Sequence, residues 1–381
     1  MGLSKSPTQD IQQINQTIIT LPLLKLVGVY IKKEGVELYN EIYLLLTEAC
    51  PNRCEYCYIR NRANPKSMTM ELIDEKIKKF KPTRVLFFGG EPLVRLDLME
   101  EVVKKYYGQI KFQVVTSTSI NFKEFIEFNK KYPLNEVQLS WDGFTNNRID
   151  ATGKSIASSV YKNIEYAIGE GLKFDIKTVI SNDNVQNMYD IHKKFKELKK
   201  HNVSGQFVIA HRDYYAEDFY DNLREQLPKT FDLTKMYTDH LNKIIAYLNH
   251  DTNFCSCDIG KYITIDPYGN ESVCTALSQE RKHFDIGEVQ TACTHEDCIH
   301  CKYSYMCDGG CRYERFNKYG EDWKAHYLDS TCKVVKIYAD TIKNFIDGLC
   351  FYDRYRIFDI IQDYKKYLAD YYSEIGDSHD K

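Results

Sequence analysis

The sequence predicts an α/β fold built on a parallel sheet, followed by a cysteine-rich segment and C-terminal helices. Strand-like apolar runs alternate with stretches of helical spacing through the first half of the 381 residues, and nine of the 13 cysteines fall within residues 255–332. Strands that alternate with helices pair in parallel through right-handed crossovers. This pattern fits either a βα barrel or a doubly wound sheet and does not choose between them.

The composition is that of an ordinary globular protein. Hydrophobic residues make up 43% of the chain, and the net charge of −3 gives no general attraction to nucleic acid or to an anionic membrane. No apolar run reaches the roughly 20 residues of a membrane span, and the start of the chain lacks the pattern of a signal peptide. We therefore expect a cytoplasmic protein without nucleic-acid or membrane partners. Because that compartment keeps thiols reduced, so many cysteines indicate metal ligation.

The strands are predicted in chain order from apolar runs bounded by turn residues. Residues 1–40 form an N-terminal segment whose runs at 26–31 and 36–39 indicate a hairpin. Six strands of the sheet are then predicted at residues 41–47, 84–88, 111–116, 136–140, 174–180 and 205–210. The repeat of roughly 30 residues is what a strand, a helix and their loops require.

The helices between these strands are predicted from their spacing and their first turns. Asp97 with Glu100, and Asn121 with Glu124, are typical of capping boxes that open two helices. A long helix is predicted over residues 233–249, within a linking segment at 216–250. Helical spacing returns near residue 333, so residues 336–381 are predicted to form C-terminal helices. The first interstrand helix is predicted from apolar residues at helical spacing, namely Met70, Ile73, Ile77 and Phe80.

Three cysteines directly follow the first predicted strand, at Cys50, Cys54 and Cys57. Iron–sulfur clusters of four irons are typically held by four thiolates. A group of three would leave one iron open to a small chelating molecule. Spacing alone equally allows a structural zinc ion with a fourth ligand elsewhere in the chain.

A second motif ends the next strand, at Gly89-Gly90-Glu91-Pro92. Two glycines at a strand end allow a ligand to approach the backbone closely. Glu91 is able to accept hydrogen bonds from an ammonium group. Taken alone, the motif is equally an ordinary strand-to-helix loop.

Together, these two motifs resemble those of radical S-adenosylmethionine (SAM) enzymes. The resemblance implies a partial (β/α)6 TIM-like barrel over residues 41–215 and a [4Fe-4S] cluster whose open iron is chelated by SAM. Cys50, Cys54 and Cys57 would hold this cluster. The resemblance also implies that the cofactor contacts Tyr56 at the adenine and, at the methionine amino group, Gly89, Gly90, Glu91 and Pro92.

Weaker similarities follow the third and fourth strands. Ser140 and Asp142 resemble the family's Ser-x-Asp-Gly segment, which lies near the ribose and methionine. Residues 116–118 depart from the family's usual Thr-Asn-Gly, so Ser117 is assigned no ligand role. Arg148 is a candidate partner for the methionine carboxylate, but we expect it to be a surface residue.

The cysteine-rich segment resembles the SPASM extension of radical SAM enzymes, predicted here at residues 251–335. The resemblance implies two auxiliary [4Fe-4S] clusters. The first auxiliary cluster would use Cys255, Cys257, Cys274 and Cys311, and the second auxiliary cluster Cys298, Cys301, Cys307 and Cys332. Cys293 and Cys350 remain unassigned. The one-residue gap between Cys255 and Cys257 leaves open that only one of them is a ligand, in which case the first auxiliary cluster has an open iron or uses Cys293. Zinc ribbons would need pairs of Cys-x2-Cys, and one such pair is present.

The resemblance implies a radical SAM oxidoreductase that abstracts a hydrogen atom from a peptide or protein. Enzymes with this extension mostly modify peptides, giving thioether or carbon–carbon crosslinks or oxidised side chains, as in the maturation of ribosomally made peptides. Thr275 stands where the sulfatase-maturing branch has Asp, which argues against that branch. The reductant would be a carrier such as flavodoxin or ferredoxin.

Two further points stay open. Many peptide-modifying members carry an N-terminal peptide-binding domain, whereas residues 1–40 are short for one. We therefore expect a separate recognition protein, another mode of leader binding, or a substrate without a leader. The alternative functions are radical chemistry on a small molecule, such as a sugar or an amino-acid metabolite, and a non-catalytic iron–sulfur or zinc protein.

Overall fold

A single eight-stranded sheet organises the part of the chain that the structure describes. This computed structural model describes residues 40–59, 63–210, 215–233, 237–249, 262–280, 293–307 and 309–376. The strands are β1 (Glu41–Thr47), β2 (Arg84–Gly89), β3 (Lys111–Thr116), β4 (Glu136–Ser140), β5 (Asp175–Ile180), β6 (Ser204–Ile209), β7 (Tyr262–Ile265) and β8 (Glu271–Ser272). Their order across the sheet is β6-β5-β4-β3-β2-β1-β7-β8.

The predicted α/β fold is confirmed, and the strand order distinguishes between its two forms. The strands β1 to β6 lie side by side in chain order, and every neighbouring pair is parallel. A doubly wound sheet reverses its strand order at a switch point, and this sheet has no such reversal between β1 and β6. The consecutive order is therefore that of an open, partial barrel. The predicted strand boundaries agree within one residue, because buried strands such as β1 consist almost entirely of apolar residues.

Helices connect the strands and continue to the C-terminal side. The helix α1 matches its predicted span, with Ile73, Ile77 and Phe80 buried and the Thr69 side chain accepting a hydrogen bond from the Leu72 amide. The described helices are α1 (Met70–Phe80), α2 (Leu96–Tyr106), α3 (Phe122–Lys131), α4 (Ala157–Gly169), α5 (Met188–Leu198), α6 (Glu217–Gln226), α7 (Thr238–Asn249), α8 (Glu296–Ile299), α9 (Ser304–Cys307), α10 (Arg312–Tyr319), α11 (Asp329–Gly348) and α12 (Phe351–Gly376).

The start of α2 was predicted incorrectly. This helix already begins at Leu96, so Asp97 lies inside its first turn and its carboxylate accepts a 2.8 Å hydrogen bond from Arg95. Asp97 thus forms an ion pair with Arg95, the residue before the helix, and does not cap the helix.

The predicted cap of α3 and the predicted start of α7 also differ from the structure. Asn121 does precede α3, but its backbone is left-handed and its amide donates to the Leu93 carbonyl at 2.9 Å. The Asn121 side chain, which could cap the helix, instead binds a neighbouring loop, and sequence spacing does not reveal this.

The long helix α7 begins at Thr238, five residues later than predicted.

The hairpin of β7 and β8 joins the sheet beside β1. β7 pairs with β1 in parallel, with Tyr262 opposite Glu41 and Ile265 opposite Leu44. The Tyr43 and Tyr262 rings stack with centroids 3.9 Å apart. The segment predicted as a cysteine-rich domain therefore enters the sheet of the barrel. The sequence pattern did not predict this pairing.

An ion-pair group ties the same hairpin to α1. The Lys76 ammonium lies 2.8 Å from a Glu271 carboxylate oxygen, and Lys79 lies 2.6 Å from the same oxygen. These lysines lower the pKa of Glu271 against the opposing effect of its burial. The contacts hold β8 against the barrel, although the exposed Lys79 adds little stability.

The helix α11 packs against α6 and α7, with Val334, Tyr338 and Ile342 buried.

The predicted hairpin at 26–39 lies outside the described residues, and so do Cys255 and Cys257. Within the described ranges, we find no helix with the length and apolarity needed to cross a membrane.

Candidate active site

The first three cysteines lie on a loop that leaves the carboxyl end of β1. Cys50, Cys54 and Cys57 are each partly exposed, and none is in a disulfide. The Cys57 amide donates to the Cys54 carbonyl at 3.2 Å, and the Asn52 amide donates to Cys50 Sγ at 3.4 Å. Burial raises the pKa of the Cys54 thiol, and the positive charge of Arg148 acts in the opposite direction. The loop therefore gathers three thiols at the carboxyl edge of the sheet, where ligands of α/β folds bind.

Gly89 and Gly90 fit against this cysteine loop. The Gly90 amide donates to the Thr47 carbonyl at 2.7 Å, and the Glu91 amide donates to the Ala49 carbonyl at 2.9 Å. A Cβ on Gly90 would lie 2.3 Å from the Ala49 oxygen, and one on Gly89 would lie 2.4 Å from the Thr47 oxygen. The close approach expected of a ligand is made by the chain itself.

We expect Gly90→Ala to lower the free energy of unfolding by about 3 kcal/mol, because the new methyl group has no room against backbone atoms. The displaced cysteine loop should also bind less iron after anaerobic reconstitution. Urea denaturation and iron analysis measure both effects. The matched control is Gly169→Ala, where a Cβ meets nothing within 4 Å. Equal stability of the two variants would contradict this role of Gly90.

Glu91 links the end of β2 to the end of β3. Its side chain is buried and accepts hydrogen bonds from Thr116 Oγ1 at 2.6 Å, from the Ser117 amide at 2.8 Å and from the Leu93 amide at 3.2 Å, as well as from the Ser117 hydroxyl. Burial raises the pKa of Glu91, and these donors oppose the rise. Donors within the chain therefore already engage this carboxylate, and its interaction with an ammonium group stays a prediction. Pro92 opens the short 3-10 helix that Glu91 caps.

Ser117 and Asn52 lie within the candidate site, where the sequence analysis had not placed them. The Asn52 side-chain amide donates to Ser117 Oγ at 2.8 Å and to Ser119 Oγ at 2.9 Å. Because Ser117 also binds Glu91, one network joins the cysteine loop to the ends of β2 and β3. The departure from Thr-Asn-Gly, which removed Ser117 from consideration, supplies the Ser117 hydroxyl of this network.

Asp142 organises the part of the site beyond β4. Its Oδ2 accepts hydrogen bonds from the Tyr56 hydroxyl at 2.5 Å and from the Asn147 amide at 3.0 Å, and its Oδ1 accepts one from the Val179 amide at 2.8 Å. Ser140 is buried at the end of β4. Tyr56 and Asp142, predicted separately as cofactor contacts, are thus brought into direct contact.

Arg148 was expected at the surface, and this expectation was wrong. Its side chain is only 12% exposed, and its Nε lies 2.8 Å from Asp142 Oδ2. The guanidinium carbon lies 5.5 Å from the centre of the Tyr56 ring. Burial lowers the pKa of Arg148, but the negative charge of Asp142 opposes this effect, and the pKa is raised. Asp142 lies in the same loop as Arg148, but Tyr56 comes from the loop after β1, and this arrangement is not visible in the sequence.

A second group of cysteines surrounds one cavity, which we call the auxiliary cavity. Cys298 lies on α8, Cys301 follows that helix, Cys307 ends α9 and Cys332 lies in the first turn of α11. All four line a space of about 190 Å³. Burial and the neighbouring thiols, Cys293 first among them, raise the pKa of Cys298 to about 12. Four thiols around one cavity fit the ligand set of a [4Fe-4S] cluster.

The remaining cysteines are placed less completely. Cys274 and Cys311 are buried, whereas their predicted partners Cys255 and Cys257 lie outside the described residues. Cys350 is exposed and donates to Asp353 at 3.1 Å. Within the described ranges, no group of three His, Cys, Asp or Glu side chains is arranged to hold a single metal ion. The ligand assignment of the first auxiliary cluster stays a prediction.

Comparison with known proteins agrees with this geometry. The model of the Radical SAM superfamily matches residues 44–219. The radical SAM cyclopropyl synthase TigE of Paramaledivibacter caminithermalis is 23% identical over 357 residues, covering 80% of this chain and 74% of that protein. The GTP 3′,8-cyclase of Helicobacter pylori strain HPAG1 is 25% identical over 200 residues, covering 49% of this chain. The chain spans 60% of the length of that cyclase.

A solved structure shares the fold. Native anSMEcpe with bound AdoMet and the Cp18Cys peptide superposes with a TM-score of 0.64 at 18% identity, covering 85% of this chain and 99% of that one. The residues matched by the Radical SAM model extend from within β1 to beyond β6. They carry the cysteine loop, the Gly89-Gly90 contact and Asp142. Residues 44–219 of this chain therefore form a radical SAM domain.

Proposed function

We propose that this protein is a radical SAM oxidoreductase that modifies a peptide or protein substrate. Cys50, Cys54 and Cys57 would hold a [4Fe-4S] cluster, with SAM on its open iron. When bound, this centre supplies the electron that splits the sulfonium into methionine and a 5′-deoxyadenosyl radical, which takes a hydrogen atom from the substrate. The observation that carries the proposal is the convergence of the cysteine loop, Glu91 and Asp142 at the carboxyl ends of β1, β2 and β4.

The chain's own residues would position the cofactor. The Asn52, Ser117 and Glu91 network fixes the cysteine loop relative to β2 and β3. Tyr56 is held by Asp142, which places an aromatic ring beside the last cysteine of the loop, where the adenine is expected. Ser140, Asp142 and the Gly89–Pro92 segment would surround the ribose and methionine. Side chains locked in this way orient a reactive bond and exclude water without rearranging during turnover.

One point supports a peptide or protein as the substrate, and two further points concern the kind of product. The fold is shared with anSMEcpe, a protein whose structure holds a bound peptide. The relative TigE is a cyclopropyl synthase, so radical SAM chemistry that forms new bonds occurs in a protein similar over most of this chain. Two auxiliary clusters, one of them at the auxiliary cavity, would accept the electron left when a substrate radical is oxidised. The product would then be crosslinked through a thioether or carbon–carbon bond, or oxidised.

The proposed partners follow from this scheme. An electron carrier such as flavodoxin or ferredoxin would reduce the SAM-binding cluster, and a separate recognition protein would present the peptide.

Thr275 continues to argue against a sulfatase-maturing role, because that branch has Asp at this position.

A small-molecule substrate is the second candidate. The similarity to GTP 3′,8-cyclases favours this candidate, because their name specifies a nucleotide substrate. That similarity covers about half of the chain. Turnover with candidate peptides against nucleotides, sugars and amino-acid metabolites, read by mass spectrometry, separates the two candidates. A mass change in a peptide supports the first candidate, and one confined to a small molecule supports the second.

The test of the reaction class is anaerobic reconstitution followed by a SAM cleavage assay. We expect about 12 iron atoms per chain if all three four-iron clusters assemble, and formation of 5′-deoxyadenosine with a reductant such as dithionite. Bound zinc with no cleavage of SAM would overturn the proposal.

A further inference from the structure

The wall of the auxiliary cavity carries one positively charged residue among its described lining residues, Lys336. Lys336 follows Cys332 by four residues on α11, so the two side chains emerge from the same face of the helix. Cys332 and Cys301 line the same cavity as Lys336. An ammonium group therefore lies in the wall that carries the four thiols.

The one carboxylate in that wall is directed elsewhere. Asp297 also lines the cavity, but its side chain is 72% exposed and lies 3.8 Å from His295 Nδ1. Water therefore screens its charge from the thiols. Among the described lining residues, the positive charge that acts on the four cysteines is that of Lys336.

We propose that Lys336 tunes the second auxiliary cluster by raising its reduction potential. The inference rests on the proposed function, which places that cluster on Cys298, Cys301, Cys307 and Cys332. Reduction adds one negative charge to the cluster and its thiolates, so a neighbouring cation stabilises the reduced form more than the oxidised form.

The position of the ammonium limits the size of the effect. Lys336 lines the cavity but is also exposed to solvent, so water and salt screen its charge. We expect about a tenfold change in the ratio of oxidised to reduced cluster at fixed potential. For a one-electron couple this corresponds to about 59 mV. The effect should diminish as ionic strength rises.

The experiment compares Lys336→Met with Lys336→Arg in the full chain after anaerobic reconstitution. Potentiometric titration followed by electron paramagnetic resonance gives the potentials, and the signal lost in Cys301→Ala identifies the second auxiliary cluster. We expect Lys336→Met to lower the potential of that signal alone and Lys336→Arg to keep it near the wild-type value. The matched control is Lys333→Met, which lies on the same helix but pairs with Asp329 at 3.0 Å and is absent from the cavity wall.

Each outcome has a definite meaning. A potential in Lys336→Met that does not differ from that in Lys333→Met would overturn the inference and leave the proposed function standing. An equal fall in Lys336→Arg would also overturn it, since shape rather than charge would then matter. If Cys301→Ala removes no signal, the cluster assignment itself fails, and the inference fails with it.

Discussion

Replacement of Cys54 by Ala is expected to reduce 5′-deoxyadenosine formation to the level of the iron-free protein. Three thiolates hold three of the four irons and leave one open, so the loss of one thiolate removes the platform on which SAM would bind. Cys54 sits between Cys50 and Cys57 in the loop that Gly90 and Asn52 fix in place. The measurement is 5′-deoxyadenosine by liquid chromatography after anaerobic incubation with SAM and dithionite.

The chain offers a matched control for this change. Cys350 is exposed, lies at the start of α12 and has no predicted ligand role, so Cys350→Ala should cleave SAM at the wild-type rate. Iron should fall by about four atoms per chain in Cys54→Ala and stay constant in Cys350→Ala. Normal cleavage by Cys54→Ala would refute the assignment of the SAM-binding cluster.

The second large effect is expected from Cys301→Ala, which should separate SAM cleavage from product formation. The auxiliary cavity lies on α8, α9 and α11, outside the matched radical SAM domain. We therefore expect 5′-deoxyadenosine to persist while the modified substrate disappears, because the electron of the substrate radical has lost its acceptor. Mass spectrometry of the substrate and quantification of 5′-deoxyadenosine in the same reaction measure the two steps.

The split between the two steps guards this experiment against misfolding. A variant that had lost its fold would lose both activities, whereas the expected variant loses one. A full yield of product from Cys301→Ala would show that the second auxiliary cluster has no part in the reaction. Cys350→Ala again serves as the control and should retain both.

The strands of the barrel could be predicted because their sequences are locally unambiguous. Strands such as β1, covered on both faces, read as continuous apolar runs whatever their neighbours are. The β7 strand is equally apolar but only four residues long, and its partner β1 lies more than 200 residues earlier in the chain. Pairing at such separation is decided by tertiary packing, so the spacing of residues near β7 carries no signal for it.

The site shows the same division between residue type and residue contact. The resemblance to radical SAM motifs indicated Cys50, Tyr56 and Asp142 as site residues. It did not indicate that Asp142 holds Tyr56, since this contact joins the loops after β1 and β4, nor that the Asp142 carboxylate attracts Arg148 within the second of these loops. A buried arginine is recognisable only once its carboxylate partner is located.

Gly90 shows how a correct motif was assigned an incomplete physical reason. The sequence indicates that something approaches this backbone closely, and the structure identifies the Ala49 carbonyl as the approaching atom. Sequence cannot distinguish a ligand from another segment of the chain, because both require the same absence of a side chain.

The pairing of β7 with β1 has a practical consequence for dissecting the protein. A fragment that ended before residue 262 would leave the backbone donors and acceptors of β1 uncovered along a long apolar strand, together with the ring of Tyr43. Such an edge is a template for pairing with a second copy, and the fragment should form insoluble aggregates when expressed. In the full chain the corresponding border is β8, which is two residues long and gives an incoming strand little to bind.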